Sequence, residues 1–113
     1  MKTLSVEAFL NKNYPRLDVR SPGEFEQGHI PGAVSFPLFS DEERAIIGTL
    51  YKKQGKDRAF EEGLRIAGPK MVDFVKQAGL LKAKNLCIHC WRGGMRSGSM
   101  GWLLSQAGYN ICL

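Results

Sequence analysis

His89-Cys90-Trp91-Arg92-Gly93-Gly94-Met95-Arg96-Ser97 is the stretch on which the reading of this chain turns. An apolar segment, residues 85–89, runs into it, and a helical pattern opens at Arg96 and Ser97. A strand that feeds a tight Gly-Gly loop and then a helix aims several backbone N–H groups, and the positive end of the helix dipole, at one point. The sequence puts Cys90 at that point. Such surroundings favour the thiolate, the nucleophilic form of cysteine, so Cys90 is the expected nucleophile. The amides of residues 91–96 and the Arg92 and Arg96 side chains are expected to hold an anion, and Gly93 and Gly94 let the backbone approach it. The predicted binding set around Cys90 is therefore Trp91, Arg92, Gly93, Gly94, Met95, Arg96 and Ser97. The alternative for a lone cysteine at a strand end is a buried structural role; the glycines and arginines argue against it.

Outward from the loop, strands alternate with helices. Strands are expected over 16–19, 33–37, 85–89 and 109–113. Ser5, Pro22 and Ser40 mark helix starts, and Gly55 and Gly108 mark helix ends. Helices follow over 6–11, 24–27, 41–54, 57–67, 71–78 and 96–107, with a break at Gly68-Pro69. The helix over 41–54 should carry Ala45, Ile46, Leu50 and Tyr51 on one face, and Trp102 should belong to the core of the last helix. Cys87 and Cys112 read as core. Alternation of this kind predicts an α/β fold, with a central, mostly parallel sheet of about five strands and helices on both faces.

The chain has 113 residues, enough for one domain, and 43% of them are hydrophobic. A net charge of +5 suits acidic ligands without establishing nucleic-acid binding. No apolar run approaches the roughly 20 residues that cross a bilayer. Three cysteines without regular spacing and no secretory leader point to a cytoplasmic protein with reduced thiols, and no metal-ligand spacing is present. The final residues, 109–113, read as a strand with no polar tail, as in a domain cut from a longer protein.

Three segments together resemble a rhodanese-type domain: Leu17-Asp18-Val19-Arg20, then Glu24-Phe25-Glu26-Gln27-Gly28-His29-Ile30-Pro31-Gly32-Ala33, then the Cys90 loop. The stretch Asp41-Glu42-Glu43-Arg44-Ala45-Ile46-Ile47-Gly48-Thr49-Leu50-Tyr51-Lys52-Lys53-Gln54-Gly55 and the loop Cys90-x-Arg92-Gly93-Gly94-x-Arg96-Ser97 narrow the resemblance to the N-terminal part of tRNA 2-selenouridine synthases. That resemblance implies a transferase that replaces sulfur by selenium in the wobble 2-thiouridine of tRNA. It implies selenophosphate as co-substrate, geranyl diphosphate as a further co-substrate of the full-length family, and no bound cofactor. It implies tRNA and a selenophosphate-supplying enzyme as partners, and a C-terminal P-loop domain that is absent from these 113 residues.

The residues leave other readings open. His-Cys-x5-Arg is also the signature of cysteine phosphatases, and ordinary sulfurtransferase rhodaneses place the arginine one residue nearer. A phosphatase needs a general acid, yet residues 91–95 contain no Asp or Glu, which leaves Asp41, Glu42 and Glu43 as candidates. A selenophosphate donor fits both patterns, since it carries a phosphate-shaped group and a transferable selenium. A non-catalytic anion-binding module is the third possibility. Asp18 and Arg20 either orient substrate or hold the turn, with Arg20 paired to Glu24. His29 is expected to brace its turn, and His89, adjacent to Cys90, to point to the opposite face of the strand. Lys52, Lys53, Lys56 and Arg58 either contact tRNA phosphates or form a solvated helix end. Trp91 either stacks on a base, covers an apolar chain such as a geranyl group, or packs against the helix over 41–54. Gly63 to Lys70 approaches a P-loop pattern, but no strand precedes it and Met71 stands where a Ser or Thr is required.

Overall fold

The computed structural model describes residues 1–90 and 95–113. Its centre is a parallel sheet of β1 (Arg16–Asp18), β2 (Val34–Ser35), β3 (Asn85–His89) and β4 (Asn110–Cys112), in the order β2-β1-β3-β4. Leu17 lies between Val34 and Ile88, and Leu86 pairs with Ile111. Among the described residues the sheet has four strands where about five were expected. At the β4 edge the N-terminal segment adds an isolated bridge, Lys2 to Cys112, with the Leu4 N–H donating to Leu113 O at 2.9 Å. Ser5 then caps a helix and ends the extended run, so no fifth strand develops. The predicted strand 33–37 is regular only at Val34–Ser35, although the Phe36 N–H still donates to Asp18 O at 2.8 Å and the Leu38 N–H to Val19 O at 3.1 Å.

The helices start and stop where local chemistry dictates. Ser5 accepts from the Ala8 N–H ahead of α1 (Val6–Asn11), and Pro22 opens α2 (Pro22–Gln27). Ser40 and Glu43 form a reciprocal capping box on α3 (Asp41–Gln54). Gly55, at φ 91°, turns the chain into α4 (Lys56–Ala67). At Gly68–Lys70 the helix tightens to a 3-10 turn and continues as α5 (Met71–Gly79), so the Gly-Pro pair bends the path. The last helix is α6 (Met95–Gln106). Right-handed crossovers put α1 and α2 on one face of the sheet and α3 to α6 on the other, which agrees with the packing of α5 on α6.

The core joins Leu17, Leu86 and Ile88 of the strands to Met100 and Leu104 of α6, with Phe36 and Phe74 at 6.3 Å between ring centroids. Cys87 is fully buried opposite Cys112; burial, then its cysteine neighbour, push its thiol up to about 11, so it is inert at neutral pH. Cys112 is half-buried.

One core assignment needs correction. Trp102 is 55% exposed, because α6 buries the stripe Ser97, Met100, Gly101 and Leu104 and leaves Trp102 outside it. In α3, Ile46 and Tyr51 are exposed and Ile47 is the residue that reaches the core. The cause is that α3 packs chiefly on α4, as a helical hairpin.

Candidate active site

Carboxyl ends of parallel strands gather ligand sites, and Cys90 follows the end of β3 directly. Its neighbourhood is fixed by the Val19 N–H, which donates to His89 O at 3.0 Å. The Ser97 N–H, in the first turn of α6, donates to Cys90 Sγ at 3.4 Å, and the thiol donates to Ser97 Oγ at 3.2 Å. First-turn amides lack intrahelical acceptors, so the helix presents a donor to the sulfur. Once the thiol has lost its proton, the Ser97 hydroxyl can turn and donate as well. Trp91, Arg92, Gly93 and Gly94 lie outside the described residues.

Arg96 sits on the same turn, and its guanidinium is held by Glu24: Nη1 donates to Oε1 at 2.7 Å and Nη2 to Oε2 at 3.4 Å. Glu24 Oε1 also accepts from the Ser21 N–H at 3.1 Å and Ser21 Oγ at 3.0 Å, and pairs with Arg44 Nε at 3.1 Å. Burial opposes the charge on Glu24, but the Arg96 and Ser21 hydrogen bonds outweigh it and take the carboxyl from 4.5 down to about 2. Glu24 therefore ties together α2, the α3–α4 hairpin and the first turn of α6. Sequence reading missed this role. Ser21-x-x-Glu24 is legible as a helix start, but nothing local shows that the same carboxylate meets two arginines from distant segments.

The hairpin is also fastened by Asp41, whose Oδ1 accepts from the Gly23 N–H at 2.9 Å, and by an ion pair between Glu43 and Lys70. A Cβ at Gly23 would lie 2.9 Å from that same oxygen, so glycine permits the approach. Asp41 and Glu43 are thus engaged in fastening, and neither they nor Glu42 line the cavity beside Cys90. The acid that a phosphatase needs has no candidate there among the described residues.

Asp18 and Arg20 pair with each other. Arg20 Nε donates to Asp18 Oδ1 at 3.0 Å and Nη2 to Oδ2 at 2.8 Å; Nη2 also donates to Gly28 O at 2.7 Å. The expected partner of Arg20 was Glu24. A guanidinium on the residue two beyond Asp18 meets that carboxylate first, and the hydrogen bond to Asp18 leads the causes that raise its pKa. Asp18 is wholly buried and Arg20 nearly so, and their contacts pin the end of β1 to the turn after α2.

His29 Nδ1 lies 2.9 Å from Phe25 O and its ring stacks on Phe25 at 3.7 Å, the bracing role expected of it. His89 is half-buried, and burial lowers its pKa. Expected across the strand from Cys90, it borders the same cavity, because β3 ends at His89 and strand alternation stops there. That cavity, about 240 Å³, is walled by α1 and Ile30.

Lys52 and Lys53 end α3 and Lys56 begins α4, so these lysines gather at the exposed hairpin tip. Arg58, close by, pairs with Glu61 at 3.3 Å. Lys56, Arg44 and Arg96 border an apolar groove of about 320 Å³ under the hairpin, together with Met95. The P-loop-like run, Gly63 to Lys70, lies in α4 and the 3-10 turn, with no strand before it. No helix among the described residues is long and apolar enough to cross a membrane.

A parallel sheet with a cysteine at a strand's carboxyl end, donated to by the first turn of the next helix, defines a rhodanese-type site. The sequence profile of the rhodanese-like domain matches residues 5–113, and the chain belongs to that family. Among its relatives is the tRNA 2-selenouridine synthase of Bdellovibrio bacteriovorus, 37% identical over 91% of this chain and 28% of that protein. The synthase of Salmonella newport is 39% identical over 99% of this chain and 32% of its own length, and that of Nitrosomonas europaea 40% identical over 74% and 22%. The chain is thus homologous to the N-terminal part of these synthases, and spans about a quarter to a third of the curated relatives it matches. A solved structure described as the N-terminal domain of an ATP/GTP binding protein from Clostridium difficile 630 superposes with a TM-score of 0.91. It is 40% identical, and the match covers 99% of this chain and 90% of that one.

Proposed function

We propose that this chain is the chalcogen-carrying domain of a tRNA 2-selenouridine synthase, with Cys90 as the nucleophile. The observation that carries the reading is the Ser97 amide on Cys90 Sγ at 3.4 Å, at the amino end of α6. A thiolate there attacks the terminal chalcogen of an anionic donor. With thiosulfate, a sulfur–sulfur bond forms on Cys90, the donor's own sulfur–sulfur bond breaks, and its electron pair leaves with sulfite. Selenophosphate is the proposed physiological selenium source, bound as a tetrahedral anion; its selenium is already at the selenide level, so it serves as the nucleophile in the full synthase and is not drawn onto Cys90 as a perselenide. Arg96, held by Glu24, keeps guanidinium donors for that anion, and Arg92 with the amides of residues 91–95 completes the proposed anion site. Asp18 and Arg20 act by fixing the end of β1. The exposed lysines Lys52, Lys53 and Lys56, with Arg58, are the proposed contacts for tRNA phosphates. Replacement of sulfur in the wobble 2-thiouridine, and any use of geranyl diphosphate, would draw on the remainder of the longer protein.

The test is transfer by the domain alone. Incubation with thiosulfate should leave one sulfur on Cys90, seen by mass spectrometry of the intact chain and its Cys90 peptide, and Cys90→Ser should take none. Hydrolysis of an aryl phosphate without any adduct would favour a phosphatase instead.

A further inference from the structure

One oxygen of Glu24 meets more donors than it can serve at once. Oε1 accepts hydrogen bonds from the Ser21 N–H at 3.1 Å, from Ser21 Oγ at 3.0 Å and from Arg96 Nη1 at 2.7 Å, and Arg44 Nε lies 3.1 Å from the same atom. A carboxylate oxygen offers about two lone pairs, so the two arginines compete for it. The second arm of Arg96, Nη2 to Oε2, is 3.4 Å, long for a bond between two charged groups. Arg96 is therefore held by one short bond at a contested oxygen. It directly precedes Ser97, whose N–H donates to Cys90 Sγ and whose hydroxyl accepts from it.

The fold places Arg44 there deliberately. Asp41 and Arg44 stand one turn apart and share a face of α3. Asp41 Oδ1 accepts from the Gly23 N–H at 2.9 Å, which seats the first turn of α3 on the start of α2 and brings Arg44 to Glu24. Arg44 and Arg96 border the same groove. The three side chains differ in exposure: Glu24 is 13% exposed and Arg96 20%, whereas Arg44 is 55% exposed. A carboxylate so enclosed is costly to leave without a cation. A long, exposed arginine can follow it with little repacking.

We propose that Arg44 is the relief partner of Glu24 during anion binding: the Arg96 guanidinium turns from Oε1 to an anion held beside Cys90, and Arg44 closes a hydrogen bond to Oε1 in its place. The assignment rests on the anion site of the chalcogen-transfer reading and makes Arg44 a positioning residue for it. Arg44 touches Glu24 rather than the reacting atoms. Charge stays balanced through the exchange, because one guanidinium remains on Glu24 while the other meets the anion. Without Arg44, Arg96 reaches the anion at the expense of its own bond to Glu24, and affinity for the anion falls. The α3–α4 hairpin thereby sets how readily the site fills.

The test uses the 113-residue chain with inorganic phosphate as the anion. It reads the phosphate concentration that halves the rate at which iodoacetamide alkylates Cys90, by peptide mass spectrometry. Arg44→Gln should raise that concentration about fivefold, the upper end for an ion pair with one exposed partner. In a Glu24→Gln background no carboxylate needs relief, so Arg44→Gln should shift it by less than about twofold. A shift that persists in full in that background marks a general loss of positive charge and would overturn the assignment. So would the absence of a shift in Arg44→Gln alone, or of protection by phosphate in the unaltered chain. Because Glu24→Gln weakens the fold, the unaltered chain supplies a second readout, the NMR signal of the Arg44 Nε–H, recognised by its loss in Arg44→Gln. Saturating phosphate should slow its exchange with water as the bond to Oε1 closes; exchange that is unchanged or faster would overturn the proposal. Sulfur loading of Cys90 by thiosulfate is scored separately. Its absence in the unaltered chain would sink the chalcogen-transfer reading, while phosphate protection still judges the arginine exchange.

Discussion

Glu24→Gln is the perturbation whose consequence the structure fixes most closely. Glutamine keeps the size of the side chain and removes its charge. The loss falls on Arg96, at 2.7 Å, on Arg44, at 3.1 Å, and on the Ser21 donors at the start of α2. In the folded chain the carboxyl titrates at about 2 against an ordinary 4.5, a preference for the charged form of about 3 kcal/mol. The Glu24 side chain is only 13% exposed, so solvent screens the interaction little. The folded state holds fewer protons on this group than the unfolded state between those two values. Its contribution is therefore complete above about pH 4.5 and disappears as pH falls toward 2. Urea unfolding of the two proteins at a series of pH values should show a deficit of about 2–3 kcal/mol for Glu24→Gln at pH 7. The deficit should narrow steadily below pH 4.5. A deficit under about 0.5 kcal/mol at pH 7, the size of an ordinary surface change, would refute the reasoning. So would a deficit that stays constant with pH.

Other outcomes follow from the same contacts. Asp18→Asn leaves the nearly buried Arg20 without its counter-charge and should cost about 3–5 kcal/mol in denaturant melts. Leu104→Ala should cost about 2–5 kcal/mol, whereas Trp102→Ala, on the exposed side of the same helix, should cost less than about 1 kcal/mol. If the hairpin tip meets tRNA phosphates, replacing Lys52, Lys53 and Lys56 by alanine should lower the slope of log affinity against log salt by about 2 to 3 in filter-binding titrations.

Helix boundaries were legible because they are chemically local. Ser5, Pro22, Ser40, Gly55 and Gly108 act within a turn of themselves, and each does what its residue type predicts. The parallel order of the sheet was legible for a related reason, since alternating strands and helices leave few other topologies. Periodicity served less well in α3, where it finds an apolar stripe but cannot say which neighbour will cover it. Ile46 and Tyr51, on the expected apolar face, are exposed, and the helix packs chiefly on α4. Trp102 misled through size alone, since large aromatic side chains are usually buried. In the site, Cys90 and the first turn of α6 were readable from the loop motif. The pairing of Glu24 with Arg96 was not, because 72 residues separate the two. The cavity beside Cys90 was equally hidden, since its walls come from α1, the turn after α2 and the ends of β3 and β4.

The central claim is that one sulfur, Cys90 Sγ, accepts and carries a chalcogen atom. Mass spectrometry of the chain after exposure to thiosulfate addresses it directly, with Cys90→Ser treated in parallel. The account predicts one added sulfur, located on the Cys90 peptide, lost on reduction and absent from the serine variant. An adduct that forms equally in both proteins, or one that maps to Cys112, would contradict it.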